Sequence, residues 1–170
     1  MKPFADMTLR GAAGLRMALL PFDNLTEDQG AAKTVENLVL VEFLKQSAAS
    51  VVNPGEVNAV LLEQRLRVTT AIPSATVKVL GERLGVGYLM QGVVHEYQMQ
   101  RGTTGQYPVV SVTLRLVDVS TGEIAWALSS SRRGNDRESL FGIGRVDSLE
   151  QLAQQMVEEM SDAFADSLKG

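Results

Sequence analysis

The chain contains no cysteine. Disulfides, thiol catalysis and cysteine-bearing zinc sites are thereby excluded. The absence does not decide the cellular compartment. Histidine occurs once, at His95. One histidine needs carboxylate company to hold a metal, and in a regular strand Glu96 would point to the opposite face. His95 is therefore expected to be a strand surface residue. Aromatic residues make up only 5% of the chain, too few for base-stacking platforms. No run reaches the roughly 18 apolar residues of a membrane-spanning helix. Residues 1–5 are not followed by an apolar stretch, so no signal peptide is expected in this sequence. The net charge is −4, and only Arg132-Arg133, with Arg137 and Arg145 nearby, form a basic cluster. That is a poor electrostatic footprint for nucleic acid, and no nucleic-acid partner is expected.

What remains is an ordinary globular composition. The chain has 170 residues, 45% hydrophobic and 21% charged, enough for one domain with a real core. Residues 86–128 carry the clearest pattern: a long strand, a polar turn, a second strand, the turn at 118–123 and a third strand. Val110, Val112, Leu114 and Leu116 alternate with Ser111, Thr113 and Arg115. Ile124, Trp126 and Leu128 alternate with Glu123, Ala125 and Ala127. Period two with one polar face predicts a β-meander covered on one side, with these seven apolar residues on the buried face.

The rest of the chain supplies helices and shorter strands. Residues 1–14 contain Gly11 and Gly14 and show no period, so they are expected to be a flexible lead-in or tether, with a single domain over 15–170. The run from Leu15 to Leu20, ended by Pro21, suits a strand buried on both faces of a parallel sheet. Residues 29–47 predict a helix buried on more than one side, because Leu40, Val41, Phe43 and Leu44 widen the stripe of Ala31, Val35, Leu38, Val39 and Glu42. A short strand at 50–52 precedes a helix capped by Asn53 with Pro54 in its first position. Ser74 is expected to cap a second helix that stops at Leu84 before Gly85. Residues 131–146 read as a loop. Asp147 or Ser148 caps a last amphipathic helix whose stripe includes Leu152, Met156, Met160 and Phe164. The element order is β-α-β-α-α-β-β-β-α. The fold class is α/β of the α+β kind: a mixed sheet from a β-α-β-α-α half plus an antiparallel meander, packed by helices.

Three segments together resemble one family. They are Met17-Ala-Leu-Leu-Pro-Phe-Asp-Asn24, Gly81-Glu-Arg-Leu-Gly-Val-Gly-Tyr-Leu-Met-Gln-Gly92 and Val112-Thr-Leu-Arg-Leu-Val-Asp-Val-Ser-Thr-Gly-Glu-Ile-Ala-Trp126. Across roughly residues 15–168 the sequence resembles the CsgG-like bacterial envelope lipoproteins. That family includes the curli secretion channel subunit and, more distantly, the penicillin-binding-protein activator LpoB and the N-terminal domain of TolB. The resemblance implies a TolB-N/CsgG-like fold, export to the periplasm and attachment to the outer membrane through an N-terminal lipid. It implies no catalysis. The curli channel subunit inserts two long hairpins into the membrane, each needing about twenty residues plus a turn. Residues 98–106 are too short and too polar for that, and 131–146 have no alternating apolar face. A pore is therefore not expected.

The candidate chemistry is thin. Glu158, Glu159 and Asp162 crowd one stretch of the last helix, where charges usually serve solvation. Gly142-Ile-Gly144-Arg145 lacks the third glycine and the Lys-Ser/Thr ending of a phosphate loop. Ser129-Ser130-Ser131 has no histidine or lysine partner arranged in sequence. No cofactor and no metal are expected. The candidate partner-binding residues are Arg132, Arg133, Phe141 and Arg145. Phe141 either packs under its loop or faces a partner. The resulting expectation is a non-catalytic assembly, secretion or interaction module of the envelope that binds envelope proteins or itself. The alternatives are an activator of penicillin-binding proteins and a small nucleotide-binding enzyme.

Overall fold

A computed structural model describes residues 3–6, 9, 14–46, 49–67, 71–103, 105–136 and 146–169. The elements in chain order are β1 (Phe4–Ala5), β2 (Leu15–Leu19), β3 (Asp23–Asn24), α1 (Ala31–Gln46), β4 (Ala49–Val51), α2 (Pro54–Glu63) and α3 (Ser74–Leu84). They are followed by β5 (Tyr88–Gly102), β6 (Gly105–Asp118), β7 (Ile124–Arg133) and α4 (Leu149–Lys169). The strands form one seven-stranded mixed sheet in the order β1-β7-β6-β5-β2-β4, with β3 also pairing β5. β2 runs parallel to both β4 and β5, and its side chains alternate between two cores, as its continuous apolar run requires.

The larger core lies between one sheet face and helices α1 and α4. It holds Met17, Val110, Val112, Leu114, Leu116 and Trp126 from the sheet with Phe43, Met156, Met160 and Phe164 from the helices. Phe164 sits at the centre: its ring is 5.1 Å from both Trp126, edge-on, and Phe43. The second core lies on the opposite face, where Ala18, Leu20, Leu89 and Val117 meet Val57 and Leu61 of α2 and Val77, Leu80 and Leu84 of α3. The meander is thus not covered on one side only. Its β5–β6 end near Val117 is sandwiched, and the alternation of polar residues that suggested an open face stops there.

One expected core residue is misplaced by sequence parity. Leu116 pairs Trp126, but Val117 pairs Ile124, so Ala125 is the extra residue of a bulge. Ala125 and Trp126 both enter the larger core, and Ile124 is left 43% exposed. A second bulge between Val94 and Glu96 makes His95 the extra residue of β5.

Local signals explain most boundaries. Asn53 Oδ1 accepts from Gly55 N at 2.8 Å and Pro54 opens α2. Gly85 stops α3 in the left-handed conformation, φ +63°. Ser74 is the first residue of α3 rather than its cap; Pro73 holds that position. Ser148 Oγ faces Gln151 N at 3.4 Å at the start of α4. Helix α1 is one-sided: Val35, Val39 and Phe43 are buried, while Val41 and Leu44 are exposed. Glu36 is buried and useful, accepting from Phe22 N at 3.2 Å and from Lys33 Nζ at 2.7 Å. It fastens the β2–β3 turn to α1.

The lead-in departs from a free tether in its described residues. Phe4 and Ala5 pair antiparallel with Ala127 and Trp126 as an edge strand. Asp6 N donates to Ala125 O at 2.8 Å, and Leu9 is fully buried in the larger core. An aperiodic stretch gives no pattern from which such docking could be read.

Candidate functional site

The end of β7 carries two of the four candidate partner-binding residues. The strand continues through Arg133, so Ser131, Arg132 and Arg133 are strand residues rather than loop. Alternation then separates the two arginines. Arg132 is half-buried and its Nη2 is ion-paired with Glu159 Oε2 on α4. Arg133 is exposed, and its backbone N–H donates to Asp136 Oδ2 at 2.8 Å. The chain then leaves the sheet at Gly134, whose N–H donates to Pro108 O at 2.9 Å. Val146 N donates back to Gly134 O at 2.9 Å, so both ends of the intervening segment are tied together. A β-carbon on Gly134 would collide with the carbonyl oxygen of Val146 and the ring of Pro108, which accounts for glycine at this position. Phe141, Arg145 and the glycine pair at 142 and 144 lie outside the described residues. A small recess of about 30 Å³ opens beside Arg132, Gly134, Val146 and Met156.

The solvent face of the meander forms a second surface. His95 Nε2 lies 2.9 Å from Thr113 Oγ1, which lies 2.8 Å from Ser129 Oγ. One polar row thus crosses β5, β6 and β7. The bulge places His95 and Glu96 in succession beside the Leu25–Asp28 turn, instead of the strict alternation expected of a regular strand. Among the described residues, no group of three or more histidine, aspartate or glutamate side chains could hold a metal ion.

The other candidate chemistry resolves into structure. Glu159 is committed to Arg132, and Asp162 Oδ1 accepts from Gln46 Nε2 of α1 at 2.5 Å. Ser129 belongs to the polar row, and Ser130 is buried. Two tyrosine hydroxyls are perturbed. Burial raises the pKa of Tyr88, with the Asp118 carboxylate adding to it. Burial likewise raises Tyr97, reinforced by Glu150 and Asp28. No described helix is long and apolar enough to cross a membrane.

Comparison with known proteins bears on what these surfaces serve. No curated protein is detectably similar in sequence. Among solved structures, the PelC dodecamer from Paraburkholderia phytofirmans shares the fold at TM-score 0.65 and 19% identity, with 96% of this chain and 95% of that one aligned. Lipoprotein GNA1162 from Neisseria meningitidis aligns at TM-score 0.62 and 18% identity, over 87% of this chain and 99% of that one. The C-terminal domain of LpoB from Escherichia coli aligns at TM-score 0.52 and 13% identity, over 71% and 83%. At these identities the likeness is one of fold. The family model is more specific: it matches residues 7–130, from the lead-in through the meander. Of the relatives that the sequence resembles, the match falls on LpoB and not on the curli channel subunit. This chain belongs to the peptidoglycan-synthase activator LpoB family.

Proposed function

We propose that this domain acts by contact, binding a peptidoglycan synthase in the periplasm and raising its activity. The observation that carries this reading is the family match across residues 7–130, which contains β2 to β6 and most of β7. It favours the activator over the secretion and curli assembly roles. The absence of a reaction centre among the described residues is compatible with it. We place the contact surface at the end of β7, where Arg133 is exposed, together with Phe141 and Arg145, which follow it in the chain. A lipid on the N-terminal side would hold the domain at the outer membrane, with β1 as the point where the chain enters the sheet. The test is reconstitution with the peptidoglycan synthases of the same organism. Glycan polymerisation and cross-linking rates should rise when the purified chain is added, with a saturable dependence on its concentration. No binding and no change in either rate would overturn the proposal.

A second reading is self-association. It is favoured by one observation, the end-to-end fold likeness to a protein solved as a dodecamer. Light scattering decides it: a concentration-independent monomer mass would rule it out.

A further inference from the structure

The long hairpin leaves one edge of the sheet open. β2 and β3 pair with β5 only between Tyr88 and Val94, and Leu25 N makes the last bond, to Val94 O at 2.9 Å. β5 continues to Gly102, and among the described residues no strand covers that side of it. Its other side is fully paired with β6, from Glu96 opposite Ser111 to Gly102 opposite Gly105. Antiparallel pairs alternate between hydrogen-bonded and non-bonded. Met99 faces Pro108, which has no N–H to give, so that pair is a non-bonded one. By the same alternation Tyr97 and Arg101 are also non-bonded toward β6. The amide groups of Tyr97, Met99 and Arg101 therefore point outward, along the open edge. Such an edge is a template for another strand.

A groove begins where β3 stops. The Leu25–Asp28 turn faces residues 95–98 of β5 across about 540 Å³. Leu25, 66% exposed, offers an apolar contact at its wall. The charges lining it are Glu27, Asp28 and Glu96, and no lysine or arginine is among its described lining residues. Glu150 of α4 adds to this field, since it and Asp28 both act on the Tyr97 hydroxyl.

We propose that this groove and the open β5 edge together dock an extended, basic segment of a partner protein. The segment adds as a strand beside Tyr97, Met99 and Arg101, and its lysine or arginine side chains meet Glu27, Asp28 and Glu96. Main-chain bonds would supply affinity and the carboxylates the choice of sequence. The site is independent of the β7 surface and goes beyond the activator reading.

The probe is a capped seven-residue peptide alternating lysine with valine, with its glutamate counterpart as control. Binding to the full chain is followed by fluorescence anisotropy and by amide exchange. The lysine peptide should saturate, slow exchange at Met99 and Arg101, and bind at least about tenfold more tightly than the glutamate peptide. Met99→Pro removes one outward N–H without touching a β6 bond and should abolish binding. Glu27→Lys with Glu96→Lys leaves the edge intact and should remove the preference for lysine. No saturable binding, protection confined to other residues, or unchanged binding in Met99→Pro would overturn the proposal. A dimer mass that Met99→Pro reduces to a monomer, with no competition by the lysine peptide, would assign the edge to a second copy instead and equally overturn it.

Discussion

The ring of Phe22 occupies the space that a β-carbon on Gly92 would need: a Cβ built there would meet the ring at 2.5 Å. Phe22 follows β2 and its N–H is held by Glu36, so the ring cannot easily retreat. Gly92 lies in β5 opposite Leu114, at the middle of the larger core. Gly92→Ala is expected to destabilise the fold by about 1–3 kcal/mol, as overpacking does. In a chain of this size that corresponds to about 2–4 °C of Tm for each kcal/mol, readable by calorimetry. An unchanged Tm would show that the ring has room to move.

The bulge at Ala125 makes two adjacent positions behave oppositely. Trp126 is fully buried and Ile124 is not. Leu114→Ala, in the same core, should cost about 2–5 kcal/mol. Ile124→Ala should stay within about 0.5 kcal/mol, as surface changes do. Equal losses from denaturant titration would mean that Ile124 shares the buried face after all, and that the register shift is wrong.

These positions also mark how far the sequence could be read. Leu15–Leu20 announced a two-sided strand, Asn53-Pro54 a helix start and Gly85 a helix stop, because each signal is local. The mixed sheet packed by helices followed from them. The bulges at His95 and Ala125 were illegible, since one extra residue in a strand changes no composition and no obvious period. The second core under α2 and α3 was missed because Val117 and Leu89 look like ordinary exceptions to alternation until a helix is seen above them. Leu9 docks without any pattern around it. At the candidate site, arginines read as a loop cluster turned out to be strand neighbours. Arg132 points to Glu159 of α4, a pairing across 27 residues that sequence spacing does not encode.

Ser161 lies inside the larger core's helix, buried, and its hydroxyl has no partner among the described residues. An unpaired buried hydroxyl costs about 1–3 kcal/mol of desolvation. Ser161→Ala should therefore be neutral or raise stability by about 1 kcal/mol. A clear loss would reveal an ordered water or another acceptor at that hydroxyl.

Tyr97 gives the fold an alkaline limit. Burial, then Glu150 and Asp28, raise its pKa in the folded state above the ordinary tyrosine value. The folded chain thus holds this proton more tightly than the unfolded chain. The associated stability is fully present below about pH 10, the unfolded value, and is lost as pH rises through the higher folded value. Tyr97→Phe should flatten the decline in urea midpoint above about pH 10 while leaving neutral stability nearly unchanged. A decline of the same steepness in Tyr97→Phe would move the cause elsewhere, with Tyr88 as the first candidate.

The two arginines at the end of β7 should report different things. Arg132 is tied to Glu159, so reversing its charge sets two carboxylates side by side and loosens α4 from the sheet. A half-exposed pair of this kind is worth at most about 1 kcal/mol, but its loss would blur any binding measurement. Arg133 has its side chain exposed one residue further along, shortly before Phe141 and Arg145 in the chain. Arg133→Glu should leave stability within about 0.5 kcal/mol. If this surface is where a synthase docks, the same change should weaken capture of the enzyme and its stimulation together, because arginine and aromatic side chains are over-represented among binding hot spots. Phe141→Ala should act in the same direction. It separates contact from packing: a lost Tm would mark Phe141 as a plug under its segment, and a lost interaction at constant Tm would mark it as part of the surface. Stimulation and capture unchanged in both variants would reduce the end of β7 to a connector between sheet and α4.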